Sequence, residues 1–365
     1  MFCRRKKEYM KLVYAVDKGS FNNADHAGVN IKVNSQIEQM RQAGIEVELQ
    51  QYGWQDGFPQ INIADDVDFM YFRRIEPSVK LLLKFRDIKK NNPNIKMIME
   101  IPTYPFKGED TRKKSIKDKV NNYIGEKLLH RYVARITLCG QIDKMESLYG
   151  IKVIHFVNGV DFAELPVNTN ECHPKDAIHM ICVSGCMYSH GYDRMIAGMK
   201  EYYESERCSR DIFFHVVGTG EYLDSYKQQV QECEKLVDKV IFYGRKTGNE
   251  LDEIYAKCNM AVAHLATHRI GLYQMSSLKS REYVARGLPM ISSSMLDICN
   301  EGTEKYMLFV PEDETPINMN TIIAFFDEVY EEYDLHENIR NIFSDLCDWK
   351  CTFTPILKYL LGAEQ

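Results

Sequence analysis

Residues 276–294, SSLKSREYVARGLPMISSS, place two serines, a lysine and a glutamate close together. Ser276 and Ser277 are residue types that start helices, and the free backbone N–H groups of a helix start attract anions. Lys279 adds a positive charge that suits a phosphate group, and the carboxylate of Glu282 can accept two hydrogen bonds from a vicinal diol. The segment therefore predicts a helix that binds a phosphorylated ligand carrying a diol. The alternative is a surface helix that leads into a core strand.

The loop at residues 183–196, VSGCMYSHGYDRMI, follows a predicted strand and leads into a predicted helix. Histidine has a reference pKa of about 6.5, so His190 either becomes charged beside an anion or donates one neutral hydrogen bond. Arg194 is a second candidate cation in this segment. The alternative for His190 is a histidine that precedes the helix and is exposed to water.

Two further strand ends in the second half of the chain carry glycines. VVGTGE places Gly218 and Gly220 after a predicted strand and lacks the third glycine of a dinucleotide-binding fingerprint. FYGR brings Tyr243, Gly244 and Arg245 to the end of the next strand. Because ligands in parallel sheets bind beyond the carboxyl ends of the strands, these residues are candidates for a site. Each segment taken alone is equally an ordinary strand exit.

Strands and helices alternate through both halves of the chain. In the first half the predicted strands are KLVYAV, IEVELQQY, DFMYFRRI, IKMIMEI, RITLCG and IKVIHFVNGV, with helices at residues 30–43, 77–90 and 118–135. The second half repeats the pattern, beginning with IHMICVSG, the helix at 192–203 and DIFFHVVGTGE. Regular alternation predicts parallel sheets with helices on both faces, and hence one Rossmann-like domain in each half.

The polar segment at residues 164–175, which contains two prolines, is the best candidate for a linker. At 365 residues the chain exceeds a single ordinary core, so two domains of about 150 to 200 residues are expected. We predict an N-terminal domain over residues 10–168, a C-terminal domain over 175–345 and a terminal helix within 346–365.

Composition narrows the range of partners. A net charge of −6 and a pI near 6.0 argue against a dedicated nucleic-acid binder. The 11 cysteines lack the paired spacing of a zinc site, which indicates reduced thiols in a cytoplasmic protein. No apolar run approaches the roughly 18 residues that cross a bilayer, and the strand-like KLVYAV does not resemble the core of a signal peptide.

The segments VSGCMYSHGYDR, VVGTGE, FYGR and SSLKSREYVARGLP occur in the order and spacing of a known site. They resemble the nucleotide-sugar site of family 4 glycosyltransferases, which have the GT-B fold. NGVDF, at residues 158–162, resembles the sequence that closes the N-terminal domain in that family. The resemblance implies two Rossmann-like domains with parallel sheets facing a central cleft. It also implies a last helix that crosses back to the N-terminal domain. The alternative is a helix that packs on its own domain.

The same resemblance implies roles for individual residues. The helix start would face the donor diphosphate, Glu282 would bind the ribose hydroxyls, and FYGR would border the nucleobase. Gly28, in the loop after the first strand, would let the backbone approach the donor phosphate or sugar. The implied donor-side residues are Gly28, Gly218, Gly220, Tyr243, Gly244, Arg245, Ser276, Ser277, Leu278 and Glu282.

The charged residues of the family pattern are partly replaced here. Family members usually carry an arginine and, five positions later, a lysine that neutralise the diphosphate, and these positions hold Gly185 and His190. Arg194 and Lys279 are candidates to supply the missing charge. The alternative is that the loop binds a different leaving group.

Family members also carry another glutamate eight positions before the one that corresponds to Glu282, and this chain has Gln274 at that position. Glutamine can hydrogen-bond a sugar hydroxyl but carries no charge. The run HR…SLKSREYVARGLP resembles a subgroup associated with bacterial capsule and exopolysaccharide synthesis. Its signature residues here would be His268, Arg269, Lys279, Arg281 and Glu282. The alternative for Arg281 is a charge on the helix surface.

In the N-terminal domain, family members often place a histidine after the fourth strand, and this chain has MEIPTYPF instead. Glu100 in that segment is a candidate for contact with the acceptor. The alternative is a buried strand-end carboxylate with a backbone partner.

The resemblance implies a retaining hexosyltransferase that moves a sugar from a nucleoside diphosphate sugar to a saccharide or lipid-linked saccharide. UDP is the expected nucleotide because it is the commonest in the family, and neither a metal nor another cofactor is expected. The basic amphipathic stretch at residues 107–135 is either a solvated helix face or a peripheral contact with anionic lipid. A non-catalytic nucleotide-sugar-binding or partner subunit is one alternative, because Gly185 and Gln274 remove two charges. A nucleotide-sugar epimerase is another.

Overall fold

A computed structural model describes residues 9–22, 27–102, 104, 115–140, 145–168, 177–205 and 207–363. The chain divides into two compact units, the first formed by Met1–Asn158 with Trp349–Gln365 and the second by Gly159–Asp348. Each unit contains a large sheet with mainly parallel pairing, and helices pack against it. This is the architecture that alternating strands and helices predict.

The sheet of the first unit is built from strands that alternate with helices along the chain. The strands of this unit are β1 (Met10–Asp17), β2 (Ile45–Tyr52), β3 (Trp54–Gln55), β4 (Phe58–Pro59), β5 (Phe69–Arg73), β6 (Lys96–Ile101), β7 (Val133–Cys139), β8 (Ser147–Leu148) and β9 (Ile151–Phe156). The order in the sheet is β2-β1-β5-β6-β7-β9-β8, with β3 and β4 forming a separate hairpin. The sheet pairs are parallel apart from β8 and β9.

Two helices of the first unit begin at a capping serine. The helices of this unit are α1 (Lys18–Phe21), α2 (Ala27–Gln42), α3 (Val79–Asn91) and α4 (Ile116–Leu128), the last followed by a 3-10 turn at Leu129–Arg131. Ser78 starts α3 by accepting a hydrogen bond from the N–H of Leu81. Ser115 starts α4 in a capping box with Asp118. Phe85 of α3 is fully buried against Phe72 of β5, with 5.2 Å between ring centroids.

The start of α2 differs from the prediction. Apolar periodicity begins at Ile31 and placed the helix start at Asn30, with Gly28 in the preceding loop. In the structure α2 begins at Ala27, and Gly28 lies in its first turn and is exposed. The first turn of a helix does not need an apolar face, so periodicity alone could not reveal it.

The sheet of the second unit is parallel throughout. The strands of this unit are β10 (Ala177–Val183), β11 (Asp211–Val217), β12 (Val240–Gly244), β13 (Met260–Val262), β14 (Gln274–Met275), β15 (Met290–Ser292), β16 (Met295–Leu296) and β17 (Met307–Phe309). The order in the main sheet is β12-β11-β10-β13-β15-β17, and β14 pairs separately with β16. The helices are α5 (Tyr192–Glu204), α6 (Leu223–Gln231), α7 (Asn249–Tyr255), α8 (Leu278–Ala285), α9 (Met319–Val329) and α10 (Leu335–Cys347), and 3-10 turns span Tyr188–His190, Glu234–Leu236, Thr267–Ile270 and Glu304–Tyr306.

Both faces of this second sheet are covered. Successive side chains of a strand point to opposite faces, so Met180 and Cys182 of β10 join one core and Ile181 joins another. The first core contains residues of α5, α6 and α9, and the second contains residues of α7, α8 and α10. Because helices cover the two faces, the carboxyl edge of the sheet is the place where a ligand can approach the strand ends.

After α10 the chain returns to the first unit through α11 (Trp349–Thr352) and α12 (Thr354–Leu360). Phe353 packs against Phe156 with 6.2 Å between ring centroids, and Tyr359 packs against Phe69 at 6.3 Å. Among the described residues, no helix combines the length and the apolar character that a bilayer span requires.

Candidate functional site

The strands β10 and β13 are neighbours at the point where the strand order of the second sheet reverses. β11 and β12 continue from β10 on one side, while β13, β15 and β17 continue on the other. Loops at such a switch point diverge and leave a crevice at the carboxyl edge. The side chains of Ser184, His190, Tyr192, His264 and Lys279 form one cluster here.

Lys279, on the first turn of α8, is the buried cation of this cluster. Its Nζ donates to the Tyr192 hydroxyl at 3.1 Å and to the Ala263 carbonyl at 3.3 Å, and the residue is 9% exposed. Within the part of the chain that the structure describes, Lys279 forms no ion pair with a carboxylate. Burial lowers the pKa of Lys279 to about 7. A bound anion would therefore favour its charged form.

His190 lies in the turn before α5. Its Nδ1 accepts a hydrogen bond from the N–H of Met187 at 3.3 Å, which leaves the ring proton on Nε2. Burial, followed by the nearby Lys279, holds the pKa of His190 well below its ordinary value, against an opposing hydrogen bond with the Gly185 backbone. Of the two roles considered for His190, the geometry favours a neutral hydrogen-bond donor.

His264 was not singled out by the sequence, yet its ring centroid lies 5.1 Å from that of His190. The residue is 7% exposed, and among the described residues its Nδ1 has no hydrogen-bond partner. Burial lowers the pKa of His264 well below its ordinary value, and Lys279 and His190 act in the same direction. A buried ring nitrogen without a partner costs free energy that a ligand could recover. Within NMAVAHL, His264 looks like the end of a buried strand, so no sequence signal identified it.

The glycine turn after β11 contacts the loop after β10 through its backbone. Gly218 and Gly220 have φ of 137° and 155°, which side-chain-bearing residues rarely adopt. A Cβ on Gly218 would lie 1.9 Å from the Ser184 carbonyl oxygen, and one on Gly220 would lie 2.5 Å from that of Cys186. The N–H of Ser184 donates to the carbonyl of Val217 at the end of β11 at 3.0 Å, and that of Cys186 donates to the carbonyl of Thr219 in the turn at 2.8 Å. The structure thus gives these glycines the role of positioning the loop that carries His190.

Two helix starts at the switch point lack a side-chain cap. Ser277 occupies the N-cap of α8 with φ −92° and ψ 133° and makes no capping hydrogen bond, and Leu278 begins the helix. At α5 the N-cap is Gly191, in the left-handed region with φ 66°. Tyr192 and Lys279, from the first turns of the two helices, are in direct contact. Both helix starts therefore present N–H groups near the buried lysine.

Glu282 lies three positions after Lys279, on the same side of α8. Its side chain is 25% exposed, and its carboxylate lies 3.4 Å from Nε of Arg286. Burial raises the pKa of Glu282, while Arg286 acts in the opposite direction. Arg286 also pairs with Asp252 at 2.6 Å, so Glu282 shares this cation and keeps acceptor sites for a ligand.

Arg194 and Arg281, two of the predicted cations, are bonded within the protein. Arg194 is 2% exposed and donates to the carbonyl of Thr315 at 2.9 Å and to the carboxylate of Asp313 at 3.1 Å. Arg281 is fully buried and pairs with Asp297 at 2.7 Å. Both guanidinium groups are occupied by these contacts, so neither supplies free charge to the cluster around Lys279.

His268 and Arg269 join two neighbouring turns to one another. Arg269 pairs with Asp193 at 2.8 Å and with Glu314 at 2.5 Å, and its guanidinium lies 4.4 Å from the ring centroid of Tyr188. His268 Nε2 lies 2.7 Å from the Glu314 carboxylate. This network fixes the turn that contains His190 relative to the loop after β13.

No hydrogen bond or ion pair among the described residues joins Gln274 or the FYGR residues directly to the side chains of the cluster around Lys279. Gln274 is exposed on β14, the short strand that pairs with β16. Tyr243 bonds through its hydroxyl to Nδ1 of His215 at 2.9 Å, Gly244 ends β12, and Arg245 is exposed. Gly244 accepts a hydrogen bond from the glycine turn, which connects FYGR to that loop. Ser276 directly precedes the N-cap of α8.

Glu100 belongs to the first unit and is fully buried at the end of β6. Its carboxylate contacts Lys32 at 3.0 Å, Arg73 at 3.5 Å and the hydroxyls of Tyr71 and Tyr14 at 2.9 and 3.3 Å. Burial alone would raise the pKa of Glu100, but the two cations and the hydrogen bonds outweigh it and leave the pKa lowered. Glu100 is thus an ionised internal acceptor, the buried alternative considered above, with side-chain instead of backbone partners.

Comparisons with known proteins place this geometry in context. No protein-family model matches the chain, and no curated protein sequence matches it. Solved structures do: HepE from Anabaena in complex with UDP aligns with a TM-score of 0.63 at 12% identity, covering 97% of this chain and 100% of that chain. Sucrose-phosphate synthase from Thermosynechococcus elongatus gives 0.63 at 14% identity, with the same coverage. A glycosyltransferase from Rickettsia africae gives 0.62 at 10% identity, over 98% and 100% of the two chains.

These structures are GT-B glycosyltransferases, and the similarity extends over nearly the whole of each chain. The alternating elements of the present chain form the corresponding pair of α/β units. The predicted fold class is therefore confirmed: the protein has the GT-B fold.

Proposed function

We propose that this protein is a glycosyltransferase that binds a nucleoside diphosphate sugar at the carboxyl edge of the second sheet. The observation that carries the proposal is Lys279, a buried cation that has no carboxylate partner among the described residues. It lies at a helix start without a side-chain cap, where backbone N–H groups also favour an anion. A diphosphate supplies the negative charge that this environment lacks. HepE was solved with UDP and with UDP-glucose, which supports a nucleotide sugar as the ligand class.

The same groups would stabilise the departing diphosphate. As the bond between the anomeric carbon and the diphosphate oxygen breaks, negative charge develops on the leaving oxygen. A charged Lys279, the N–H groups of α5 and α8 and the neutral His190 ring are fixed donors that oppose this charge without reorganising. We propose that these groups replace the arginine and lysine of the family pattern, and that a metal ion is not required.

The remaining assignments extend from this core. Glu282 is proposed to bind the ribose hydroxyls, since it lies on the same helix face as Lys279 and keeps acceptor sites. Gln274 is proposed to bond a hydroxyl of the transferred sugar. We further propose that the nucleotide is UDP and that the sugar is transferred with retention at the anomeric carbon. The proposed acceptor is a saccharide or lipid-linked saccharide, in the cytoplasmic synthesis of a bacterial polysaccharide.

Thermal unfolding in a panel of UDP, GDP and ADP sugars tests the ligand class. A ligand that binds only the folded protein raises the unfolding temperature in proportion to the logarithm of its concentration. We expect one nucleotide series to stabilise the wild-type protein and to stabilise Lys279→Met much less at the same ligand concentration. Stabilisation that is equal in both proteins would reject the proposed site.

A non-catalytic nucleotide-sugar-binding subunit is the second candidate function. It is favoured by the positions Gly185 and Gln274, which carry no charge where the family pattern has charged residues. Incubation of the stabilising sugar nucleotide with purified protein and a mixture of acceptor saccharides separates the two functions. Release of free nucleoside diphosphate supports the transferase, and NMR of the product gives its anomeric configuration. Binding without turnover supports the subunit.

A further inference from the structure

Helix α4 of the first unit carries an apolar stripe on its solvent side. Ile116, Val120, Tyr123 and Ile124 are 81%, 53%, 61% and 39% exposed. Their spacing of four, three and one positions puts them on one side of the helix. Isolated apolar residues on a surface are ordinary, but a continuous stripe over more than two helical turns marks an interaction surface.

The opposite side of α4 is the one attached to the protein. A Cβ on the buried Gly125 would lie 2.4 Å from the backbone nitrogen of Ser78, so the helix backbone directly contacts the start of α3. Asn121 Oδ1 accepts a hydrogen bond from the N–H of Val79 at 3.0 Å. Gly125 is about half a helical turn away from Val120 and Tyr123. The contact at Gly125 thus fixes the rotation of α4 and keeps the stripe outside.

Lysines border the stripe. Lys117 and Lys119 are exposed on its two sides, and Lys127 is exposed within it, with its Nζ 5.6 Å from the ring centroid of Tyr123. Asp118 does not offset these charges at the stripe, because its carboxylate bonds to Ser115 in the capping box on the other side of the helix. The half-buried Glu126 lies on the Lys119 side of the stripe. The three lysines still give this face an excess of positive charge, on a chain whose net charge is −6.

We propose that this face of α4 docks on the surface of an anionic lipid bilayer. An apolar strip with lysines beside it suits the interface, where the apolar side chains enter the headgroup layer and the lysines reach the lipid phosphates. A second copy of the chain is a poorer occupant, because pairing two such faces would bring like charges together. The proposal concerns the first unit and does not depend on the nucleotide site of the second.

Vesicle sedimentation tests the proposal with the full chain. Vesicles of phosphatidylcholine alone are compared with vesicles in which one third of the lipid is phosphatidylglycerol. We expect wild-type protein to bind only the anionic vesicles and to be released by salt. V120D/I124D should bind at least about tenfold more weakly, because two charges are placed in the buried strip. K117E/K119E should lose about fivefold in affinity for the anionic vesicles for each lysine removed, and repulsion by the new glutamates should weaken binding further.

Matched variants control for folding and for unspecific charge effects. Val237 is 55% exposed in the second unit, close to the 53% of Val120, so V237D should bind vesicles like the wild-type protein. K90E/K358E changes two exposed lysines elsewhere in the first unit and should have a smaller effect than K117E/K119E. Thermal unfolding of each variant confirms that it is folded, and a Tyr123→Trp variant should show blue-shifted fluorescence on anionic vesicles.

Three results would overturn the proposal. The first is wild-type protein that stays in the supernatant with anionic vesicles. The second is V120D/I124D that binds as tightly as the wild-type protein. The third is a wild-type dimer in light scattering that V120D/I124D converts to a monomer, with no vesicle binding, which would make the stripe a self-association surface.

Discussion

Lys32 and Lys279 are buried lysines near the carboxyl edges of the two sheets, yet their surroundings differ. Lys32, on α2, lies 3.0 Å from the fully buried carboxylate of Glu100, which also contacts Arg73. Lys279 has a hydroxyl and a carbonyl as partners and no carboxylate among the described residues. Lys32 thus has its counter-ion within the protein, whereas Lys279 has none among the described residues. The comparison indicates that burial of a cation is structural when its counter-ion is part of the protein, and indicates a ligand site when it is not.

The largest expected effect is on the free energy of unfolding when the buried pair of Lys32 and Glu100 is broken. Lys32→Met leaves Glu100 buried with a single cation, so it should lower the free energy of unfolding by about 3 kcal/mol. Lys279→Met removes an uncompensated buried charge, so the ligand-free protein should be as stable as the wild type or more so. Chemical denaturation of both variants measures the difference. In K32M/E100L, which removes both charges, part of the lost stability should return, and a further loss would contradict the interpretation of the pair.

The second effect is on ligand binding. Lys279→Met should weaken binding of the stabilising nucleotide sugar about 10- to 100-fold, because a charge-assisted hydrogen bond to phosphate contributes about 1.5 to 3 kcal/mol. Titration calorimetry measures the dissociation constant. Lys305→Met, which changes a 55% exposed lysine paired with Glu332, is the control and should bind like the wild type. If Lys279→Met and Lys305→Met weakened binding equally, the proposed contact between Lys279 and the diphosphate would be contradicted.

A smaller effect is expected at the proposed ribose contact. Glu282→Gln keeps the shape of the side chain but removes its charge, so the affinity for the intact nucleotide sugar should fall about tenfold. The corresponding 2′-deoxy donor should lose less affinity, because it lacks one of the hydroxyls that Glu282 would bind. A loss that is the same for both donors would show that Glu282 acts only through Arg286.

The smallest effect is a dependence on pH. The pKa of Lys279 is lowered to about 7, so below this pH the lysine is charged before the diphosphate arrives. Above it the free protein must take up a proton, so affinity should fall about eightfold between pH 6.5 and 8. Of the groups around Lys279, His190 and His264 have lowered pKa values and Cys182, Cys186 and Tyr192 have raised ones, so they titrate outside this range. Calorimetry at several pH values measures the slope, and Lys279→Met should show none.

The fold was accessible from the sequence because its signals are local. Alternating apolar strands and helices gave the α/β class, and the glycine turn and the α8 segment followed from short motifs. The helix Leu335–Cys347 was missed, although Leu335, Ile339, Phe343 and Cys347 recur every four positions and are buried. A spacing of four positions between apolar residues is itself a helical signal in the sequence.

The sequence could not predict which charged side chains are paired within the protein, because their partners are distant in the sequence. Arg269 was predicted as a signature residue of the substrate site, but its partner Asp193 is 76 positions away. Arg194 likewise donates to the carbonyl of Thr315, which is 121 positions away. Lys279 and Arg281 lie two residues apart on one short helix, and only the folded chain shows that Arg281 has a carboxylate partner and Lys279 does not.

A crystal structure with the stabilising nucleotide sugar tests the difference between the two lysines most directly. We predict a diphosphate oxygen about 3 Å from Nζ of Lys279, beside the first N–H groups of α8, with the contact between Lys32 and Glu100 unchanged. A nucleotide bound at another place, with Lys279 still bonded only to Tyr192 and Ala263, would contradict the account.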